Sequence, residues 1–290
     1  MHIEKKIEKN RSLKELTTMG VGGVGSYYLL VTEIDELKEA LHYAASAHLP
    51  YFVLGKGSNT LFDDRGFAGL VIHNQIDFFS QEKEKIRAGA GLSFAYLGAK
   101  SVQSYLSGLE FASGIPASVG GAIYMNASAH GHTISSVLEE VLFITEEGRE
   151  EIFPASELQF SYRTSSFQKM KGAIASALFC LKPSLDARER EMGYLEYRKK
   201  TQPLHQKSSG CVFRNPPGGV SAGALIEKSG LKGSSIGGAK ISEKHANFIV
   251  NTGGASCHDV AELVALAQRK VFAIFGVFLE TEVCFISSGE

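Results

Sequence analysis

Residues 111–127, Phe-Ala-Ser-Gly-Ile-Pro-Ala-Ser-Val-Gly-Gly-Ala-Ile-Tyr-Met-Asn-Ala, form a run of small and apolar residues without one charge. Gly114, Gly120 and Gly121 carry no Cβ, so the backbone there can take φ > 0 and come close to a large ligand. Pro116 fixes one φ and gives up its donor. The expectation is that a ligand lies against this backbone. A second glycine-rich stretch, Val53-Leu54-Gly55-Lys56-Gly57-Ser58-Asn59-Thr60, directly follows an apolar run, as a phosphate-cradling turn at a strand's end would. It is neither the dinucleotide fingerprint nor the P-loop, because Lys56 precedes the second glycine and no Gly-Lys-Ser/Thr follows. The competing reading of this stretch is a tight surface turn. Taken together, the two glycine loops point to one extended, phosphate-bearing cofactor.

A chain of 290 residues is long enough for more than one core, so two or three sub-domains are expected. The net charge of -1 excludes a basic field able to hold nucleic acid or an anionic membrane. The start, Met-His-Ile-Glu-Lys-Lys, is charged, and no apolar span reaches the roughly 20 residues of a membrane helix. A soluble, cytoplasmic protein without membrane insertion is the expectation. Cys180, Cys211, Cys257 and Cys284 are scattered, with no Cys-x-x-Cys and no paired histidine spacing, so neither a metal site nor a disulfide framework is indicated.

Periodicity predicts a strand over 26–31, a helix over 34–47 capped by Thr32 or Asp35, and strands over 51–54 and 70–72. A strand over 86–91 and a helix over 93–106 precede the central run, and a hairpin follows it, with strands over 134–144 and 151–153. Residues 185–202 alternate in charge and read as a solvated helix. Helices over 222–229 and 258–275 flank strands over 236–242 and 247–251, and a final strand covers 277–286, with Glu280 and Glu282 on one face. Arg163 stands in aromatic and hydroxylic surroundings, Leu158 to Phe167, where an exposed arginine is the plainer reading. For Cys211 the plainer reading is a small buried hydrophobe.

The order of five landmarks resembles the UDP-N-acetylenolpyruvoylglucosamine reductase family over nearly the whole chain. They are Thr-Thr-x-x-Val-Gly-Gly at 17–23, Leu-Gly-Lys-Gly-Ser-Asn-Thr-Leu-Phe at 54–62, Gly-Ile-Pro-Ala-Ser-Val-Gly-Gly-Ala at 114–122, Tyr162-Arg163, and Leu-Glu-Thr-Glu-Val at 279–283. The resemblance implies an α+β fold of the vanillyl-alcohol-oxidase type. Two α+β sub-domains, 1–75 with 277–290 and 76–195, would grip FAD, and a third, 196–276, would bind substrate. The chain looks like the family's shorter type, without an extra tyrosine-bearing loop.

Several roles follow from the same resemblance. NADPH would reduce the flavin and be replaced by the enolpyruvyl sugar nucleotide, whose carbon-3 takes hydride from flavin nitrogen-5. Arg163 matches the arginine that stabilises the resulting enolate-like charge. Glu282 matches the glutamate that assists beside it. FAD contacts would come from Gly55, Lys56, Gly57, Ser58, Asn59 and Thr60 in the first loop. The second would supply Gly114, Ile115, Pro116, Ala117, Ser118, Gly120, Gly121 and Ala122, followed by Asn126. Tyr162, Asn215 and one of Lys199 and Lys200 would meet substrate.

Three departures stand out. Cys211 holds the place of the serine that protonates carbon-2; a thiol, with a reference pKa of about 8.5, is the better acid. Met19-Gly20 replaces Phe-Arg, and Asn126-Ala127-Ser128-Ala129-His130-Gly131 replaces Asn-Ala-Gly-Ala-Tyr-Gly. The alternatives are an FAD-dependent alcohol or sugar oxidase of the same superfamily, and a flavin-binding protein impaired by the serine change. Arg163, Glu282 and a donor at 211 favour reduction, because oxidation leaves no enolate to protonate.

Overall fold

The computed structural model describes residues 3–288. They divide into two compact units, one of residues 3–9, 27–56 and 69–197 and the other of residues 10–26, 57–68 and 198–288.

In the first unit, Tyr51–Leu54 pairs in parallel with Phe67–Asn74, with Tyr51 opposite Leu70 and Leu54 opposite His73. Helix α1, Ile34–Ser46, precedes both of these strands, whose own connection is the stretch 55–66. Leu37, Ala40, Leu41 and Ala44 recur three and four residues apart and are buried. Each buried leucine there contributes about 1.5–3 kcal/mol. The N-cap of α1 is Glu33, in a reciprocal capping box with Glu36, rather than Thr32 or Asp35. The Thr32 backbone N–H also donates to Glu36, at 2.8 Å, so Thr32 supports the cap without being it.

The second sheet of this unit is antiparallel, in the order Glu150–Pro154, Leu138–Thr145, Gly172–Cys180, Lys85–Gly89, Phe79–Glu82. The expected hairpin is present, with Val141 opposite Phe153. Its first strand starts later than expected, because Ile134–Ser136 is a 3₁₀ turn. Helix α2, Phe94–Gln103, and helix α3, Val119–Tyr124, share a core with this sheet that includes Phe94, Leu97, Phe111, Val119 and Ile123.

Helix α4, Ala187–Thr201, is the charged run, and only Ala187 on it is buried. Its polar residues nevertheless fasten it. Arg190 donates through Nε and Nη2 to Glu110 at 3.0 and 2.7 Å, and Ser113 donates to Glu191 at 2.5 Å. Burial pushes the Glu110 carboxyl up, but hydrogen bonds from the Gly108 N–H, Arg190 and Ser107 outweigh that and hold it below the usual range.

In the second unit a four-stranded antiparallel sheet runs Lys207–Cys211, Phe248–Asn251, Ala239–Ile241, Ser235–Ile236. Helices α5, Ala222–Lys228, and α6, Cys257–Phe275, close its core through Leu225, Ile226, Val260, Leu263, Val264, Ala267 and Val271. The N-cap of α6 is Ser256, with Asp259 as the reciprocal third residue, and Gly276 ends it in the left-handed conformation. Asp64 adds to that start, accepting from the N–H groups of Cys257 at 2.8 Å and His258 at 2.9 Å, where a carboxylate offsets the helix dipole. The final strand is shorter than expected, Cys284–Ile286, and pairs in parallel with Thr60–Phe62. Glu280 is exposed and Glu282 half-buried, so the two acids do not share one environment.

Candidate active site

The first unit holds Gly55 and the central run. A Cβ built on Gly55 would overlap the Ser118 hydroxyl, so the two loops come together at that point only because Gly55 has no side chain. Ser118 is the N-cap of α3, accepting from the Gly121 N–H at 3.2 Å. The run is tied along its length: the Ala117 carbonyl accepts from Phe94, Val119 donates to Leu92 and Gly120 to Ala90, at 2.9, 2.9 and 2.8 Å. A Cβ on Gly120 would sit 2.9 Å from that of Ala90, so this glycine serves packing inside the protein. Gly114, at φ 86°, is exposed, as are Pro116 and Gly121, while Ile115 and Ala117 are half-buried and Ala122 is buried.

Asn126 ends this region with φ 42° and 4% exposure. Its amide donates to the Ser161 carbonyl at 2.9 Å, while its Oδ1 is buried with no hydrogen-bond partner among the described residues. A buried acceptor left unmatched costs about 1–3 kcal/mol, and a donor on a bound ligand would remove that cost. The orphaned Asn126 oxygen therefore fits a bound cofactor. Beyond it, the tiny hairpin Phe160–Ser161 with Thr164–Ser165 turns on Tyr162 and Arg163. Arg163 stands at φ 57°, its guanidinium carbon 5.2 Å from the centre of the Tyr162 ring, and its Nη1 donates to the Ser128 hydroxyl at 2.7 Å.

The second unit holds the rest of the glycine turn. Gly57 is buried at φ 61°, and a Cβ there would overlap the Leu16 carbonyl oxygen. Its own carbonyl accepts from the Thr18 N–H at 3.1 Å, and the Thr18 hydroxyl donates to the Ser208 carbonyl at 2.7 Å. Ser58 is half-buried and Thr60 buried. Asn59 Nδ2 donates to the Glu282 carbonyl at 3.1 Å, and Cys284 N–H donates to the Asn59 carbonyl at 3.0 Å. The turn is thereby attached to the Leu-Glu-Thr-Glu-Val segment.

That segment also carries the expected acid, and its backbone bonds to the residue after the expected thiol. A bulge between Ser208 and Cys211, with Gly210 at φ 77°, ends the strand at Cys211, which is half-buried. The next carbonyl, Val212, accepts from the Glu282 N–H at 2.7 Å, so the two side chains rise from paired segments. Asn247 holds this pairing in place. Its carbonyl accepts from Val212 at 2.8 Å, its Oδ1 accepts from the Phe213 N–H at 2.9 Å, and its Nδ2 donates to the Phe213 carbonyl at 2.8 Å. Asn215 Oδ1 accepts from the Ala222 N–H at 3.0 Å, at the start of α5.

Lys199 and Lys200 are both exposed at the end of α4, and the side chain turned inward beside them is Arg198. Burial pulls the Arg198 guanidinium below its ordinary value, against the opposing pull of the Cys211 charge. Arg198 Nε, Gln202 Oε1 and Ser209 Oγ are buried without hydrogen-bond partners among the described residues. Sequence reasoning missed Arg198 and Asn247. For Arg198 the available signal is its four-residue spacing to Gln202, which puts one basic and one amide side chain on the same helix face amid residues that point to water. Among the described residues no cluster of three or more His, Cys, Asp and Glu is placed to hold a metal ion. No helix among them is long and apolar enough to cross a membrane.

Residues 25–152 match the FAD binding domain family, and with the α+β fold this defines a flavin-binding oxidoreductase. Residues 202–286 match the C-terminal domain of UDP-N-acetylenolpyruvoylglucosamine reductase. The chain is 50% identical to the reductase of that name from Protochlamydia amoebophila, over 99% of this chain and 96% of that protein. It is 43% identical to the one from Chlamydia pneumoniae, over 99% and 94%. The crystal structure of the Thermus caldophilus reductase superposes with a TM-score of 0.81 at 36% identity, covering 96% of this chain and 98% of that one. The chain belongs to the UDP-N-acetylenolpyruvoylglucosamine reductase family, whose function is a reduction in peptidoglycan synthesis.

Proposed function

We propose that this chain reduces the enolpyruvyl group of UDP-N-acetylglucosamine enolpyruvate to UDP-N-acetylmuramate with electrons from NADPH, in the cytoplasm, supporting cell-wall growth, cell shape and division. The division of labour is three-part: 1–75 with 277–290 and 76–195 hold FAD, and 196–276 binds substrate. The cofactor is held by the turn at 55–60, by the run from Gly114 to Ala122, and by Asn126, whose orphaned oxygen supports that role. Bound FAD supplies a hydride acceptor for NADPH and a hydride donor for carbon-3 of the substrate.

The protein's own residues handle charge and protons. Arg163, held as a cation, stabilises the enolate charge that develops toward the substrate carboxylate. Cys211 gives the proton to carbon-2, and Glu282 assists beside the enolate as a hydrogen-bond donor. Tyr162, Asn215 and one of Lys199 and Lys200 orient the sugar nucleotide. The observation that carries the reading is the 2.7 Å hydrogen bond from Glu282 N–H to the Val212 carbonyl, which sets an acid and a thiol on paired segments.

Stopped-flow absorbance of the two half-reactions tests it. Cys211→Ala should bleach its flavin with NADPH at the wild-type rate and reoxidise about 10²–10⁴-fold more slowly with enolpyruvyl substrate. Cys211→Ser should keep substantial activity. Substrate should shield Cys211 from iodoacetamide, whereas the Cys257 thiol, pushed up to about 12 chiefly by burial and further by Asp64 and Asp63, should alkylate slowly with or without it. An alanine variant that reoxidises at the wild-type rate would remove Cys211 from the mechanism.

A further inference from the structure

In the second unit, the loop that joins Ala239–Ile241 to Phe248–Asn251 carries His245, a residue the reaction described above does not use. Its backbone is fixed on both sides. The Ser242 hydroxyl accepts from the N–H groups of Lys244 at 3.2 Å and His245 at 3.4 Å, and the His245 carbonyl accepts from the Phe248 N–H at 2.9 Å. Its ring is seated as well. It meets the Phe248 ring edge-on, 4.9 Å between centres, and lies against Gly223 of α5, where a Cβ would come to 3.3 Å from Cε1. Nδ1 of this seated ring accepts from the Asn247 N–H at 3.3 Å.

Asn247 in turn supports the backbone around Cys211. Pairing between Lys207–Cys211 and Phe248–Asn251 ends with Cys211 opposite Phe248. Beyond that point Asn247 continues it, with its carbonyl to Val212 and with both ends of its side-chain amide to Phe213. The other edge of the same segment is bonded to the stretch that carries Glu282: the Val212 carbonyl accepts from Glu282, and Arg214 N–H donates to the Glu280 carbonyl at 2.9 Å. A displacement of Asn247 is therefore passed to the backbone on which both Cys211 and Glu282 are mounted. Asn247 is 4% exposed, so its N–H cannot turn to bulk water if its acceptor is lost.

We infer that His245 is a positioning residue for the proton donor at 211: its unprotonated Nδ1 holds Asn247, and Asn247 holds the backbone from Cys211 to Phe213. The inference rests on the reading of Cys211 given above. Accepting the Asn247 bond takes the lone pair of Nδ1, and protonation would replace it with a hydrogen and set donor against donor. Burial favours the neutral ring and holds His245 below the ordinary histidine value, against the pull of its own carbonyl; Lys232 adds to the lowering and Glu227 opposes it. Lys232 and Glu227 pair with each other at 2.7 Å. Of the charges on the loop itself, Glu243 pairs with Lys240 and Lys244 donates to the Lys199 carbonyl. As pH falls through the lowered histidine value, the support of Asn247 is lost and the protonation step slows.

The test follows both half-reactions of the FAD-loaded enzyme by stopped-flow absorbance between about pH 5 and 8, with flavin occupancy checked by absorbance ratio. In the wild type, reoxidation by UDP-N-acetylglucosamine enolpyruvate should fall away in acid, while bleaching by NADPH shows no matching loss. His245→Asn puts an amide oxygen that does not titrate within reach of the Asn247 N–H. It should reoxidise within about threefold of wild type at neutral pH and lack the acid limb. His245→Phe keeps the ring and removes the acceptor; it should bleach normally and reoxidise about tenfold more slowly, since a misplaced group costs up to about 10²-fold. A purely structural role would slow both half-reactions or empty the flavin site, and an asparagine would not erase an acid limb in one half-reaction alone. Wild-type reoxidation in His245→Phe, or a wild-type acid limb in His245→Asn, overturns the inference. If His245→Phe does not fold, the pH profile of His245→Asn decides by itself. Cys211→Ala run alongside separates the two claims. If it reoxidises normally, the role of Cys211 fails and this inference with it, whereas a slow Cys211→Ala beside a normal His245→Phe removes His245 only.

Discussion

The two glycine-rich stretches look alike in sequence and answer to different demands. At Gly57 the missing Cβ makes room for the Leu16 carbonyl, and the backbone sits at φ 61°, so any other residue there would strain the second unit. At Gly121 a Cβ would meet nothing closer than the Ser118 hydroxyl at 3.2 Å, and the residue is exposed. One glycine is spent on the protein's own backbone. The other leaves open surface, which is what a ligand needs. A glycine motif therefore mixes folding constraints with binding constraints, and only the neighbouring atoms separate them.

The sharpest way to break this contrast is Gly57→Val. It combines a disfavoured φ with an overlap against backbone that cannot rotate away, and should destabilise the flavin-free protein by about 4 kcal/mol or abolish folding, as read by urea unfolding. Near-wild-type stability with lost flavin would mean that Gly57 is a binding glycine after all. Next comes Gly55→Ala, whose Cβ would overlap the Ser118 hydroxyl. A cost of about 2 kcal/mol is expected, much of it recovered on a Ser118→Ala background, where only a 3.2 Å approach to the Ser118 Cβ remains. Strict additivity in that double-mutant cycle would show that the two loops are not in contact at this point. The smallest effect on stability belongs to Gly121→Ala, within about 1 kcal/mol of wild type because helical alanine is favourable. Yet it should weaken FAD binding measurably in a fluorescence titration, while Lys56→Ala, an exposed side chain, should leave both stability and flavin occupancy nearly unchanged.

Helices α1 and α6 were readable because their buried residues repeat at helical spacing and their partners lie along one side. What failed at their ends is instructive. Ile274 continues the apolar stripe of α6 and yet is 56% exposed, with Phe272 and Phe275 beside it, because the last turn runs beyond the core it should face. Periodicity reports which side of a helix is apolar, not how far its partner extends. The cap at Glu33 was misplaced for a related reason: several polar residues near that start could accept from the first turn, and the choice depends on backbone angles that no local composition encodes. Among candidate site residues, the backbone bond from Glu282 to Val212 joins segments far apart in sequence, so no local pattern announces it. Asn247 carried no signal, because its amide matters through two bonds to Phe213 made 34 residues away. The charged run of α4 was read as solvated, and that description fits all but a few members, Arg190, Glu191 and Arg198 among them, which hold or line something.

The attachment of the glycine turn to the Glu282–Cys284 segment also sets an order of events during synthesis. Asn59 must wait for Glu282, 223 residues later, before its amide finds an acceptor. At roughly 5–20 residues per second that is a delay of about 11–45 s on the ribosome. For that interval the nascent chain carries a glycine turn held from one side only, and a flavin meeting it would find half of a cradle. If the turn holds flavin as proposed, loading waits for the completed second unit, and the time for which the turn remains unfinished is set by translation speed rather than by the affinity of the finished site.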